Sequence, residues 1–249
     1  MNKPATARGV RLTVIALAIT GLMASGLTFG ATRAASATLV ANPIDYVEVF
    51  GGTAAGPGQV GDINDFPGPA MPFGMVQLAP DTNGTGSGTT GTWSSSRNGA
   101  GYKYGNTVTR GFSMTHASQG CALYGDFPIM PSTITNLTAT GTSGPWGQRL
   151  QYSGKPAWPT KDPSIEYGEV GYYRLSARDN LSNLITTEMS ATTRAATMTF
   201  TFPAGTTPKI FFKSQQTNNS SVYGSQLRLD KTNQIIFQRA TVGNFCSKL

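Results

Sequence analysis

His116 is the chain's single histidine, and that fact limits the chemistry open to it. A multi-histidine metal centre is excluded, as is any arrangement that needs two imidazoles. A serine-type triad would have to recruit a distant Ser and Asp, and no Gly-x-Ser-x-Gly elbow nominates a nucleophile. Asp126 follows His116 across a glycine-containing turn, so the two can meet at one loop-lined site. The plainer alternative is a histidine satisfied by local backbone hydrogen bonds. Glycoside-type hydrolysis needs two carboxyl groups flanking the scissile bond. Twelve acids are present, among them Asp45, Glu48, Asp62, Asp65, Asp81, Asp126, Asp162, Glu166, Glu169 and Glu188, but spacing selects no pair. Asp62 and Asp65 in GDIND form a loose oxygen-ligand cluster without the Asp-x-Asp-x-Asp-Gly pattern of a calcium loop.

Sugar recognition fits these residue types better than acid–base chemistry. Aromatic faces stack on the apolar side of a pyranose, while Asp, Asn, His and backbone amides bind its hydroxyls. Both kinds are concentrated in two stretches, one carrying Trp93, Tyr102 and Tyr104 and the other Ser113 to Asp126. Packing inside a loop is the competing role for Trp93, and Trp146 and Trp158, near prolines, read as packing residues.

Strands and turns must position these residues. Gly 30 and Pro 15 among 249 residues, with 12% charged residues, call for many turns and short strands. No segment after the N-terminus sustains helical periodicity. Tyr172 to Ala177 and Thr197 to Phe202 alternate, Lys209 to Lys213 is a short apolar run, and Gln226 to Leu229 and Gln234 to Phe237 flank the turn Asp230–Asn233. The expected fold is all-β, an antiparallel β-sandwich, with long Gly/Ser/Thr-rich loops in the first half.

Residues 1–37 have a cationic start, an uncharged run from Leu12 to Thr32 and an Ala35-Ser36-Ala37 end, the plan of a cleaved secretory signal. An uncleaved anchor is the alternative. Residues 38–249 read as one domain, secreted or periplasmic and free of the membrane once the signal is removed. The formal charge of +7 includes Lys3, Arg8, Arg11 and Arg33 of that segment, leaving 15 bases against 12 acids. Those bases are dispersed, which argues against a nucleic-acid partner. Cys121 and Cys246 form either a long-range disulfide or two buried thiols. The tail Ser247-Lys248-Leu249 matches a peroxisomal tripeptide, in conflict with the export signal.

Several long phrases then occur in order: YVEVFGGTAAGPGQVGDINDFPGPAMPFGMVQLAPDT from Tyr46, GYKY from Gly101, GFSMTHASQGCALYGDFPIMP from Gly111, GYYRL from Gly171 and SATTRAATMTFTFP from Ser190. Together they resemble the opening of family 92 of the glycoside hydrolases, the calcium-dependent, exo-acting α-mannosidases. The resemblance implies an N-terminal supersandwich-type domain that packs on an (α/α)6 barrel, with a mannose pocket and a calcium ion between them and inversion at the anomeric centre. It implies substrate contact for Trp93, Tyr102, His116 and Asp126, and mannose-containing glycans as partners. The catalytic carboxylates and most calcium ligands belong to the barrel, so no catalytic or metal residue is assigned here. The expectation is a fragment that lacks the barrel, is incomplete at its C-terminal end and is inactive alone. A stand-alone carbohydrate-binding module and the product of a truncated gene are the alternatives. Met114, Gln119-Gly120 and Pro69 depart from the family phrases.

Overall fold

In the computed structural model, residues 40–53, 65–82, 101–116, 128–140, 144, 147–152, 161–214 and 222–242 are described. The chain divides into Met1–Pro43, described only over 40–43, and Ile44–Leu249, which holds the strands. Helical structure among the described residues is one 3-10 turn, Pro43–Tyr46. No helix of the described residues is long and apolar enough to cross a membrane.

Eleven strands are described: β1 (Ala79–Thr82), β2 (Val108–Ser113), β3 (Ile129–Ser132), β4 (Leu150–Gln151), β5 (Glu166–Glu169), β6 (Tyr172–Arg178), β7 (Leu184–Ala191), β8 (Ala196–Thr201), β9 (Lys209–Phe212), β10 (Val222–Asp230) and β11 (Ile235–Val242). Nine form one antiparallel sheet in the order β8-β7-β6-β4-β2-β3-β9, with β1 beside β2 and β5 beside β6, and β10–β11 is a separate ribbon. The architecture is all-β and sandwich-type.

β2 is the hub of the sheet. One edge carries β1, through Ala79↔Ser113, Pro80↔Phe112 and Thr82↔Thr109. The other is shared by β4 at Val108–Thr109 and β3 at Phe112. Pro80 lies on β1, which among the described residues pairs with β2 alone, and an edge strand is where a sheet tolerates proline.

Period-two patterning explains the central strands. Along β6, Tyr173, Leu175 and Ala177 are buried and their neighbours half-exposed, and along β7 the buried set is Ile185, Thr187 and Met189. The apolar members of these sets join Leu78, Phe112, Met130 and Leu150 in one core cluster. Each large side chain so buried contributes roughly 1.5–3 kcal/mol. The expected strands at 172–177, 197–202 and 209–213 match β6, β8 and β9 closely. In the ribbon the turn also forms as expected, with Asp230 Oδ1 accepting from the amides of Thr232 and Asn233 at 3.1 Å. Gln234, after the turn, takes the left-handed conformation at φ 56°.

Gly68 marks the tightest approach in the first half. A Cβ there would lie 1.6 Å from the carbonyl oxygen of Leu78, a backbone atom that cannot step aside. Gly68→Ala is therefore expected to lower stability by about 1–3 kcal/mol, the cost of overpacking, or more. An unchanged midpoint in chemical denaturation would contradict this packing of the 66–78 segment.

Candidate functional site

Of the expected sugar contacts, the structure describes Tyr102 and His116. Trp93 and Asp126 lie outside the described residues, as do Asp62, Cys121, Cys246, Trp146, Trp158 and the expected signal 1–37. Tyr102 and His116 are both 0% exposed, in two different polar clusters.

The first cluster straddles the β1–β2 ladder. His116 Nδ1 lies 2.8 Å from the carbonyl oxygen of Gln77. A carbonyl can only accept, so Nδ1 carries a proton and donates it. Nε2 faces Asp81 Oδ1 at 3.2 Å, and Ser113 Oγ at 3.4 Å, while Ser113 Oγ–H donates to the same Asp81 oxygen at 2.9 Å. Ser, His and Asp thus meet, but not as a triad. A relay needs the carboxylate on one imidazole nitrogen and the nucleophile on the other. Here both sit at Nε2, and all three side chains are sealed from solvent. The cluster fastens β1 to the end of β2.

The second cluster centres on Glu166, at the start of β5. Tyr102 donates its hydroxyl to Glu166 Oε1 at 2.7 Å, and Tyr173 on β6 donates to the same oxygen. Burial first, then the nearby Glu166 charge, pushes the hydroxyls of Tyr102, Tyr173 and Tyr152 well above the usual phenol range.

These clusters fix the ends of the two stretches expected to bear the site. Segment 83–100 begins after Thr82, whose amide donates to the carbonyl of Gly101 at 2.9 Å. Thr82 Oγ1 also accepts from the amide of Lys103 at 2.8 Å. Segment 117–127 begins directly after His116 and ends at Pro128, whose carbonyl accepts from the amide of Lys213 at 2.9 Å. Thr82 and Ser113 stand at opposite ends of the ladder, so the two segments start from different ends of it.

An open cleft of about 380 Å³ lies beside the first cluster, lined by Val49, Asp65, Phe66, Glu169 and Gly171 among others. The Phe66 ring forms part of its wall and packs on the His116 ring, centroids 5.3 Å apart. Its volume is within the range of small-ligand sites, and an aromatic wall with two carboxylates suits a polyhydroxylated ligand. Sequence reasoning did not select Phe66 or Glu169 for the site. Phe66 opens the FPGPA phrase, but nothing local indicates that Glu169, far along the chain, would join it. Among the described residues no group of three or more His, Cys, Asp or Glu side chains is placed to hold a metal ion. None of the described residues is therefore assigned as a calcium ligand.

Lys213 was also missed. It is buried after β9, with Nζ donating to the carbonyls of Arg110 at 2.7 Å and Gln148 at 2.8 Å. Burial, and then the neighbouring Arg110 charge, pushes its pKa down to about 7, with Asp81 opposing. A neutral amine keeps two N–H bonds, enough for both carbonyls.

The described residues thus form an antiparallel, sandwich-type β-domain with an open cleft that carries two carboxylates. Residues 46–248 match the glycosyl hydrolase family 92 N-terminal domain, and the chain belongs to that family. The structure is similar to that of the family GH92 alpha-mannosidase BT3965 from Bacteroides thetaiotaomicron, at 26% sequence identity and a TM-score of 0.54, over 77% of this chain and 23% of that one. Against the same enzyme in complex with mannoimidazole the values are 27% and 0.54, over 75% and 21%. The chain thus spans less than a quarter of the length of these solved relatives. No curated protein matches it.

Lys213 generates a pH dependence whose sign is fixed. Between about pH 7 and 10.5 the unfolded chain holds a proton on this amine that the folded chain has released, so stability rises with pH. The rise is on the order of a few kcal/mol at most. Above about pH 10 it is opposed, because the buried tyrosines keep protons that the unfolded chain loses. Urea midpoints measured from pH 7 to pH 9.5 are expected to climb for the native chain and to flatten for Lys213→Met.

Proposed function

We propose that residues 38–249 are the carbohydrate-binding N-terminal domain of a secreted or periplasmic α-mannosidase, delivered by residues 1–37 acting as an export signal. The match of 46–248 to the family's N-terminal domain carries this reading, and the identity of 26% to an α-mannosidase supports its substrate class. The ligand is a mannose-containing glycan. Trp93 and Asp126 contact it from segments 83–100 and 117–127. Tyr102 and His116, fully buried at the inner ends of those segments, serve the site from behind by fixing where the segments start and return. The Phe66 cleft, with Asp65 and Glu169 on its rim, contributes the described wall of the site.

Catalysis is not assigned to this chain. The Asp81–Ser113–His116 and Glu166–Tyr102–Tyr173 clusters are sealed and engaged by partners of the chain itself, and Glu169 of the open cleft accepts from the Tyr167 hydroxyl. A glycosidase pair must reach both sides of a scissile bond. The general acid, the general base and the calcium site are proposed to reside in the (α/α)6 portion of the longer family members, as the resemblance implies.

Calorimetric titration of the purified chain with methyl α-mannoside is expected to show binding, weakened by about 1–3 kcal/mol in Trp93→Ala if that ring is a buried anchor. Equal binding by both proteins would remove Trp93 from the site, and absence of binding would remove the sugar-contacting role. Calcium-dependent release of mannose by the chain alone would overturn the assignment of catalysis elsewhere.

A further inference from the structure

The β10–β11 ribbon pairs as a sheet of its own, and its register leaves a dent near one end. Gly224 stands opposite Thr241, and the next pair on the same face is Gln226 with Arg239. Gly224 has no side chain to occupy its corner of that face, and a Cβ built on it would meet nothing within 4 Å. The result is an open cleft of about 210 Å³ lined by Gly224, Ser225, Gln226, Arg239 and Thr241. That is smaller than the roughly 300 Å³ at which pockets for whole small molecules begin, so it suits one group of a ligand.

The cleft is lined by donors. Arg239 carries a planar fork of N–H groups and no acceptor, the Gln226 amide adds an NH₂ and Thr241 a hydroxyl. All three residues are exposed, no carboxylate lines the cleft, and Arg239 has no hydrogen-bond or ion-pair partner among the described residues. A second guanidinium stands diagonally across the ladder. Arg228 pairs with Phe237, one step along the same face from Gln226 and Arg239, and lies over the Phe237 ring at 4.3 Å from its centroid. Diagonal neighbours on a sheet are about 7–8 Å apart, within reach of side chains this long. Phe237 and Ile235 share the face and are 44% and 41% exposed, and the Phe237 ring serves there as a plate that orders Arg228. Asp230, the one acid of the two strands, lies on the far side of Arg228, and its carboxylate accepts from the turn amides of Thr232 and Asn233. Two cations therefore neighbour each other with no acid between them, and an anion bound there turns their repulsion into attraction.

We propose that this end of the ribbon is a binding site for a tetrahedral oxyanion, the phosphate or sulfate group of a ligand. The guanidinium fork matches two oxygens of such a group, and the Gln226 and Thr241 donors serve the others. A planar carboxylate has too few oxygens to use all of these donors. The site shares no lining residue with the Phe66 cleft, so it stands apart from the mannose reading.

The test follows backbone amide shifts of the purified chain during titration, at constant ionic strength, with sodium phosphate, mannose 6-phosphate and methyl α-mannoside. Phosphate is expected to shift amides of 224–226 and 239–241 saturably. Arg239→Gln is expected to weaken that binding about tenfold, and Arg239→Lys, which keeps the charge and loses the fork, about threefold. Arg194→Gln removes an equal charge from the exposed turn between β7 and β8 and is expected to leave the binding unchanged. Tighter binding of mannose 6-phosphate than of inorganic phosphate would support the site and place the group on a sugar, and tighter binding of the inorganic ion would support it as a site for the free anion. Absence of a saturable shift with both phosphates, binding indifferent to Arg239→Gln, or an equal loss in Arg194→Gln overturns the proposal. Methyl α-mannoside is expected to leave these amides unmoved, and its binding elsewhere is scored separately. Failure of the mannose reading therefore leaves the oxyanion site standing, and the reverse.

Discussion

The nine-stranded sheet is referred to β2, and β2 is held to its neighbour by polar groups that have no water to fall back on. The β1–β2 ladder is only four residues long on the β1 side, with an irregular step between Pro80 and Thr82. So short a ladder fixes register poorly by itself. Buried side chains supply what the ladder lacks. Thr109 Oγ1 donates at 2.9 Å to the carbonyl of Asp81, Ser113 Oγ donates to its carboxylate, and His116 bridges that carboxylate to the carbonyl of Gln77. A one-residue slip would break all of these contacts at once. Leaving a buried carboxylate unmatched costs far more than a lost surface contact. The penalty for error, more than the gain from each bond, makes the register unique.

The same device recurs wherever strands distant in sequence must meet. Glu166 takes two phenol hydroxyls and so ties β5 and β6 to Tyr102, at the return of segment 83–100. Asp179, buried beyond the end of β6, accepts from the amide of Thr133 at 2.7 Å and from the amides of Leu181 and Asn183, joining the β6–β7 turn to the end of β3. Lys213 does the converse with a donor, reaching carbonyls of β2 and of Gln148 before β4. The core aliphatics make collapse favourable, whereas these four polar groups specify which collapsed state is reached. Both segments expected to bear sugar contacts begin or end within a few residues of such a group, so the site inherits its placement from the polar core.

Legibility in the sequence followed this division. β6, β8 and β9 were readable because alternation is the mark of a strand with one buried face, and the ribbon because Asp and Asn announce its turn. β7 escaped notice: Thr187 occupies a buried position in LITTEMSA and interrupts the apolar period. β1 and β3 carry prolines and run four residues each, too short for periodicity to register. His116 was singled out for its uniqueness, and the plainer of its two readings, a histidine bonded to backbone, describes one of its nitrogens. Its carboxylate partner was hidden, because Asp81 and His116 lie 35 residues apart and meet only through strand pairing. Ser113 had a local clue in the phrase SMTH, three positions before His116.

The family phrase FPGPAMPFGMVQLAPD divides by what each residue does. Gly68 is required by backbone contact with Leu78, Leu78 is core, Asp81 is the buried pin, and Gly74 closes a turn by donating its amide to the carbonyl of Met71 at 2.8 Å. Phe66 walls the cleft and backs His116. These positions answer to folding first, which is why a match to them establishes the domain without establishing an activity. Phe73 is different. Its ring is fully exposed while its backbone sits at φ 58°, a conformation that costs a bulky residue about 1–2 kcal/mol. The Met71–Gly74 bond on one side and the Met75 amide on the carbonyl of Thr193 at 2.8 Å on the other hold it there. Neither burial nor hydrogen bonding by the ring repays that strain within the described fold. Phe73 is thus the described residue of the phrase whose conformation is set by its neighbours' hydrogen bonds and not by packing of its own side chain.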